Sequence, residues 1–571
     1  MTQTNIPQDD DFLANLTEEV ENAMPDLLNP RRRIGRVISA NGAQALIMVD
    51  RDFPFGSDKS PRIGSIICIE QQDLTTLGCI AGMTSPAPDI ESDGKDLLVL
   101  EVDILGTLSE SGDGPDFSQG SSNLPYLGCI ASMATQEDVA AIFESGEAPL
   151  LNLGELSQFP DVATRHRVDR LVYGNFAIIG AAETGKSCAI VRIVREMIRK
   201  KTMMRTIIVD PHNEYGVSFG TMASKMTLSA GSFPHWVLSF AELTHLIHHM
   251  TGALSADEVT LLEEAVIFAR KKQAQTTFKK SALDTIFISV DTPVPYRLSD
   301  LVSFLDKATH TDNDISGNIF RRLRTRLSII ARDRRYGAVF GGVSTNDSLA
   351  GFIGRLFSIP MNNKPVTLVQ IDGAPKPLAQ VITSVIARLG EEVSRWSHGE
   401  VPSLIVLEEA DDYLCPDNPL RDNILRLMER GRKANIGVAL VSGRPRALCD
   451  EALQHCATVF ATRLNTIADR QCVEEVVPEN ATGLLASAGM LGLAEVVAAG
   501  QGVNIPLRMR FARIPAGAIP MQHIERGGGA PPPEGFTEAK NAGFLEKVVT
   551  RWRQQSFTAD THSDELPPTV A

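Results

Sequence analysis

Two rhythms of apolar residues divide the chain. Between about 31 and 150 the apolar runs are short and parted by stretches rich in Pro, Gly, Ser and Asp, which is the spacing of a small β-barrel. From 34 to 49 apolar and polar positions alternate and break at Asn41 and Gly42, a dipeptide suited to the positive φ angles of a type I′ turn, so a hairpin is expected there. Further short strands are expected at 63–69, 77–81, 97–102 and 126–130. The segments LGCIAGM (77–83) and LGCIASM (127–133) echo one another, either as equivalent strands or by chance. Past Val172 strands alternate with amphipathic helices, the pattern of parallel βαβ units. Apolar runs at 176–179, 206–209 and 404–407, with others at 366–371, 437–441 and 458–461, supply a doubly wound sheet with helices on both faces. Between 221 and 360 a mostly helical insertion is expected; its clearest helix starts at Ser255, answered three residues later by Glu258 in the capping-box pattern.

The fold class is therefore α/β, preceded by a small N-terminal β-barrel. The reading assigns 1–30 to a flexible acidic tail, 31–150 to the barrel, and 151–220 with 361–515 to the α/β core. It gives 221–360 to the insertion and 516–571 to a C-terminal segment and flexible tail with a short helix near 544–552.

Composition narrows the function. A net charge of −15 and a pI near 5.3 argue against a surface coated with positive charge, so any nucleic-acid contact is local. Eight cysteines without a CxxC pair read as reduced, buried thiols of a cytoplasmic protein. No run approaches the roughly 18 apolar residues of a membrane span, and no membrane association is expected.

The chemistry gathers at two places. GAAETGKS, residues 180–187, fits GxxxxGK[ST] and stands between an apolar strand and a helix, the context a P-loop requires. Gly180, Ala181, Ala182, Glu183, Thr184, Gly185, Lys186, Ser187 and Cys188 then form the ATP-binding loop and helix start. Backbone N–H groups face the phosphates, Lys186 neutralises β and γ phosphate, and the Ser187 hydroxyl takes Mg²⁺. The second place is LIVLEEAD, 404–411, whose strand delivers Glu408 and Glu409 at its C-terminal end, where open α/β sheets bind ligands. Glu408 is expected on Mg²⁺ and Glu409 on the attacking water. A third segment, IIVDPHNEYG (207–216), brings Asp210, His212 and Glu214 to the same sheet edge. Asp210 is either part of the nucleotide site or the cap of a turn.

Together with the start IGRVIS (34–39) and the block ERGRKANIGVALVSGRP (429–445), these motifs resemble the HerA/FtsK superfamily of ring-forming P-loop ATPases, most closely the HerA-like group. The resemblance runs from about Arg33 to about Arg513. It implies a HAS-type barrel, a RecA-like core, ATP and Mg²⁺, and a homohexamer around duplex DNA. It also implies a nuclease or other effector docked on the barrel, in DNA end processing, repair or anti-phage defence. Arg430 or Arg432 would be the arginine finger. The chain departs from the family at Gly443, where glutamine is common, at Glu183, where a small residue is usual, and at Asp411, near a frequent histidine. A secretion or conjugation ATPase and a nucleotide-binding scaffold that hydrolyses little are the alternatives.

Two further features carry an open choice. The arginine-rich stretch FRRLRTRLSIIARDRRYG (320–337) either lines a DNA channel or forms a solvated or subunit-contacting helix face. His245, His248 and His249 share a helix face but lack a third ligand type, so structural histidines are expected.

Overall fold

The computed structural model describes residues 31–520 apart from 55–59, 72–73, 86–96, 112–113, 121–123, 145–149, 201–202, 278–287, 309–313, 342–348 and 361–362. The N-terminal tail and the helix expected at 544–552 lie outside the described residues.

The first seven strands are β1 (Arg33–Ala40), β2 (Gln44–Val49), β3 (Ile66–Glu70), β4 (Leu74–Thr84), β5 (Val99–Ser111), β6 (Gly114–Gln119) and β7 (Ile130–Met133). They run in the order β2-β1-β7-β3-β4-β5-β6, and β2 also pairs with β5. The sheet thereby closes on itself as a six-stranded antiparallel barrel with β6 appended, which removes the open edges that would invite further strand pairing. Alternate residues point inward, and Ile34, Val37, Ile47, Ile67, Ile80, Leu100 and Val102 form its core.

Three expectations change here. The β1–β2 hairpin forms, but neither Asn41 nor Gly42 takes a positive φ; the Asn41 carboxamide instead accepts from the backbone N–H of Ala43 and Gln44 at 2.9 and 2.6 Å, an Asx turn. The strand expected at 126–130 begins only at Ile130, and Tyr126 and Leu127 are exposed. The heptapeptide echo does not mark equivalent strand positions. Leu77 and Gly78 of one copy pair with β3, whereas in the other Ala131, Ser132 and Met133 do, and buried Leu77 corresponds to exposed Leu127.

Beyond the barrel come β8 (Leu150–Leu156), β9 (Ala163–Arg167), β10 (Phe176–Ile179), β11 (Arg205–Asp210), β12 (Ala223–Thr227) and β13 (Val366–Gln370). The last five are β14 (Ser403–Leu407), β15 (Ile436–Ser442), β16 (Thr458–Ala461), β17 (Glu495–Gly500) and β18 (Leu507–Phe511). The chain forms two compact units. One holds the barrel up to Gly174 with Ile178–Gly185 and Ala457–Arg513; the other holds Asn175–Ala177, Lys186–Cys456 and the residues from Ile514 onward.

In the first unit β16, β17, β18, β8 and β9 follow one another as antiparallel neighbours. In the second β12, β13, β11, β14 and β15 are parallel neighbours. Every residue of β14 and β15 is buried, as strands covered on both faces must be. The 221–360 region opens with a strand of this sheet, β12, before its helices Phe240–Thr251, Ala256–Thr277, Leu298–Ala308 and Asp314–Arg332.

The capping box at Ser255 and Glu258 is present, with N···O distances of 2.9 and 3.3 Å. A second one joins Ser239 to Glu242. The arginine-rich helix spends its charge on its neighbours. Arg322 and Arg326 pair with buried Glu258 at 3.5 and 3.4 Å, and Arg324 pairs with Asp306 at 3.0 Å. The Arg326 guanidinium also donates to the carbonyls of Thr251, Gly252 and Ala253, closing the C-terminal end of helix Phe240–Thr251. These intramolecular pairs engage Arg322, Arg324 and Arg326.

Candidate active site

The phosphate loop leaves β10 through Gly180 at φ 145°, passes Glu183 at φ 63°, and reaches Gly185 at φ 100°. A side chain at Gly180 would stand 1.9 Å from the Thr462 hydroxyl, so only glycine fits. Thr184 closes the loop on itself. Its hydroxyl donates to the Ala181 carbonyl at 2.8 Å and lies 2.7 Å from the Thr462 hydroxyl, while Ala182 and Glu183 are exposed. The Ala181 N–H donates to the Arg463 carbonyl at 2.9 Å, and helix Lys186–Arg199 follows directly in the chain. A helix N-terminus carries partial positive charge and favours anions.

β11 and β14 are parallel neighbours with Val209 opposite Leu407, so residues 210 and 408 leave adjacent strand tips together. Glu408 is buried and accepts a short hydrogen bond from the Tyr215 hydroxyl. Tyr215 and Glu214 both also bond the side chain of Ser187. Lys186 feels the carboxylates of Glu408, Asp411, Glu409 and Glu214. The lysine and serine of the loop motif and the first acid of the strand motif thus share one cluster. Glu409, the second residue past β14, takes a left-handed backbone at φ 52°, ψ 47°, and its carboxylate meets His212 Nε2 at 2.7 Å.

Residues 151–390 match the family model described as helicase HerA, central domain. That segment is similar to the HerA central domain. Distant relatives agree. It is 21% identical over 79% of this chain to a probable helicase of Methanocaldococcus jannaschii, covering 86% of that protein. It is 22% identical over 63% of this chain to the DNA double-strand break repair helicase HerA of Pyrococcus furiosus, covering 69% of it. Among solved structures, VirB4 of Thermoanaerobacter pseudethanolicus superposes with a TM-score of 0.49 and 14% identity over 66% of this chain and 99% of that one.

The HerA domain match takes in the phosphate loop and the 210–215 turn, while Glu408 and Glu409 lie beyond it. Asp210 is fully buried, and its carboxylate accepts from the backbone N–H of Glu214 and Tyr215 at 3.0 and 3.2 Å. These bonds hold the 210–215 turn. Tyr215 is the residue that motif spacing missed. It sits 193 positions from Glu408 in sequence, and no local pattern links them.

Asp411 accepts from the Ser442 hydroxyl at 2.8 Å and pairs with Arg444 at 2.6 Å. Both polar neighbours of Gly443 are therefore engaged by the same acid. Arg430 and Arg432 are exposed at the end of helix Arg421–Arg430, and Arg430 makes one long contact, 3.5 Å, with Glu391. Cys188 is a half-buried thiol pushed up to about 11 by burial and then by Glu214. His249 meets His245 and His248 edge-to-face, with ring centroids 4.5 and 5.5 Å apart. Among the described residues no group of three or more His, Cys, Asp or Glu is arranged to hold a metal.

The electrostatics suit a cation. Burial pushes Glu408 up to about 7; Glu214 and Asp210 push the same way, against the Tyr215 hydrogen bond and Lys186. Burial likewise lowers Lys186, against the pull of the four acids around it. Hard oxygen donors from Ser187 and Glu408 beside a lysine and a helix N-terminus fit Mg²⁺ and a polyphosphate; bound there, Mg²⁺ would neutralise phosphate charge.

A pH signature follows for the ligand-free protein. Because the folded state binds the Glu408 proton more tightly than the unfolded chain, the carboxyl's contribution is complete below the ordinary glutamate value near 4.5. It is lost as pH rises toward about 7. The expected loss is about 2 to 3 kcal/mol between those limits, read as a lower urea midpoint at pH 7 than at pH 5. Glu408→Gln removes that slope.

Proposed function

We propose that this chain is the ATPase subunit of a ring motor, a homohexamer, that translocates along or unwinds duplex DNA. In this reading the RecA-like core is 151–220 with 361–515, and the barrel at 31–150 docks a nuclease or other effector used in DNA end processing, repair or defence. The observation that carries it is the cluster of Lys186, Ser187, Tyr215 and Glu408 at the C-terminal tips of β11 and β14. The HerA central-domain match and the helicase names of the relatives support the choice of DNA.

In the proposed reaction the loop 180–185 and Lys186 hold the triphosphate, and Ser187 and Glu408 hold Mg²⁺. Glu409 takes the proton of the attacking water. Arg430 or Arg432, exposed on the surface, reaches the nucleotide of the next subunit, where a planar, permanently charged group stabilises the transferring phosphoryl. Among the described residues no helix is long and apolar enough to cross a membrane, and the site of action is taken as the cytoplasm.

The test is ATP turnover of the full chain with and without linear duplex DNA, with Lys186→Ala as background. DNA is expected to raise turnover several-fold. Turnover indifferent to DNA favours a secretion-type pump, and nucleotide binding without turnover favours a scaffold; either result overturns the motor.

A further inference from the structure

The two acids at the tip of β14 are held by one short turn in two different ways. Tyr215 grips Glu408 in the interior, whereas Glu409 turns through its left-handed backbone to meet His212, both side chains being 42% exposed. The turn that carries His212 is rigid. Asp210 ties its far end through two backbone hydrogen bonds, and Asn213 adopts φ 55°. His212 is therefore a fixed donor presented to a carboxylate at the mouth of the site. We propose that His212 is a positioning residue for Glu409, fixing one carboxylate oxygen so that the other faces the attacking water. The proposal rests on the ATP-hydrolysing reading above.

The physical reason is the geometry a general base needs. A carboxylate on an exposed strand tip samples several rotamers, and only those aimed at the water remove its proton; a third group that holds the base restricts that search. An N–H donor to one oxygen leaves the lone pairs of the other available. Burial lowers the proton affinity of His212, and the acids that face it, Glu409, Glu214, Asp372 and Asp210, outweigh that effect. The surrounding acids thus favour an imidazole that keeps its donor hydrogen on the Glu409 side. Nothing in the packing of the fold requires this side chain, since it is exposed and bonds the side chain of Glu409.

Steady-state ATP turnover of the full chain with duplex DNA present tests this with His212→Ala, His212→Gln, Glu409→Gln and the double variant His212→Ala with Glu409→Gln. Glutamine places an N–H near the position of imidazole Nε2. His212→Ala is expected to lower kcat about tenfold with KM for ATP within about twofold of wild type. His212→Gln should recover most of the loss, and the double variant should be no slower than Glu409→Gln alone. A wild-type kcat in His212→Ala, a deficit that glutamine does not relieve, or additive losses in the double variant overturns the positioning role while leaving the motor reading intact. Absent turnover in the wild type overturns both.

Discussion

Glu409→Gln is expected to lower ATP turnover by about two to three orders of magnitude while nucleotide binding stays within a few-fold of wild type. The reasoning starts from position. Glu409 is half-exposed at the tip of β14 and contacts His212, whereas its neighbour Glu408 is buried and bonded to Tyr215. A group that takes a proton from water contributes about 10² to 10⁴ in rate, and glutamine keeps the shape and the acceptor oxygen but not the basicity. The exposed site means that the substitution leaves no buried polar group unpaired, so folding is unaffected. Single-turnover hydrolysis separates chemistry from product release, and fluorescent-nucleotide titration reports binding. A variant that hydrolyses at the wild-type rate removes Glu409 from the chemistry. A variant that no longer binds gives it a structural role.

How far this site was legible in the sequence depends on the range of each interaction. The strands at 176–179, 206–209 and 404–407 stood out because strands covered on both faces become unbroken apolar runs, and β10 and β14 are buried at every position. The phosphate loop was legible because its function needs particular residues at fixed local spacing. The capping box at Ser255 and Glu258 was readable for the same reason, but the pairing of Glu258 with Arg322 and Arg326 was not. The hairpins β8–β9 and β17–β18 join through an antiparallel pairing of β18 with β8, whose partners, such as Leu156 and Met509, lie more than 300 residues apart in the chain, so that pairing left no local trace. The turn at Asn41 was misjudged because asparagine can satisfy a turn either by a left-handed backbone or by its side chain, and here it uses the side chain. Tyr215 is the clearest case: its role exists only because β11 and β14 are neighbours, a fact of topology.

Arg388→Ala is expected to destabilise the second unit by about 3 to 5 kcal/mol, because it strands a buried carboxylate. Glu242 is fully buried. One oxygen accepts from the Ser384 hydroxyl at 2.8 Å and from Arg388 Nε at 3.2 Å; the other accepts from an Arg388 terminal nitrogen at 2.8 Å and from the Ser239 backbone N–H at 2.8 Å. Asn423 adds a longer contact at 3.4 Å, and Arg388 also donates to the Val237 carbonyl at 2.8 Å. The glutamate that caps helix Phe240–Thr251 is thereby the junction of that helix with Lys376–Trp396 and Arg421–Arg430. Neutral donors from Ser384, Ser239 and Asn423 remain in the variant, but they do not supply the counter-charge. If the penalty is the unpaired charge rather than lost packing, Arg388→Met combined with Glu242→Gln should recover most of it, since methionine fills the space and glutamine preserves the capping box. Urea unfolding followed by the fluorescence of buried Trp236, which lies beside Val237 in the same segment, reads both variants. A loss under about 1 kcal/mol for Arg388→Ala would place this pair with surface ion pairs, and a double variant as unstable as the single would assign the stability to packing of the arginine stem.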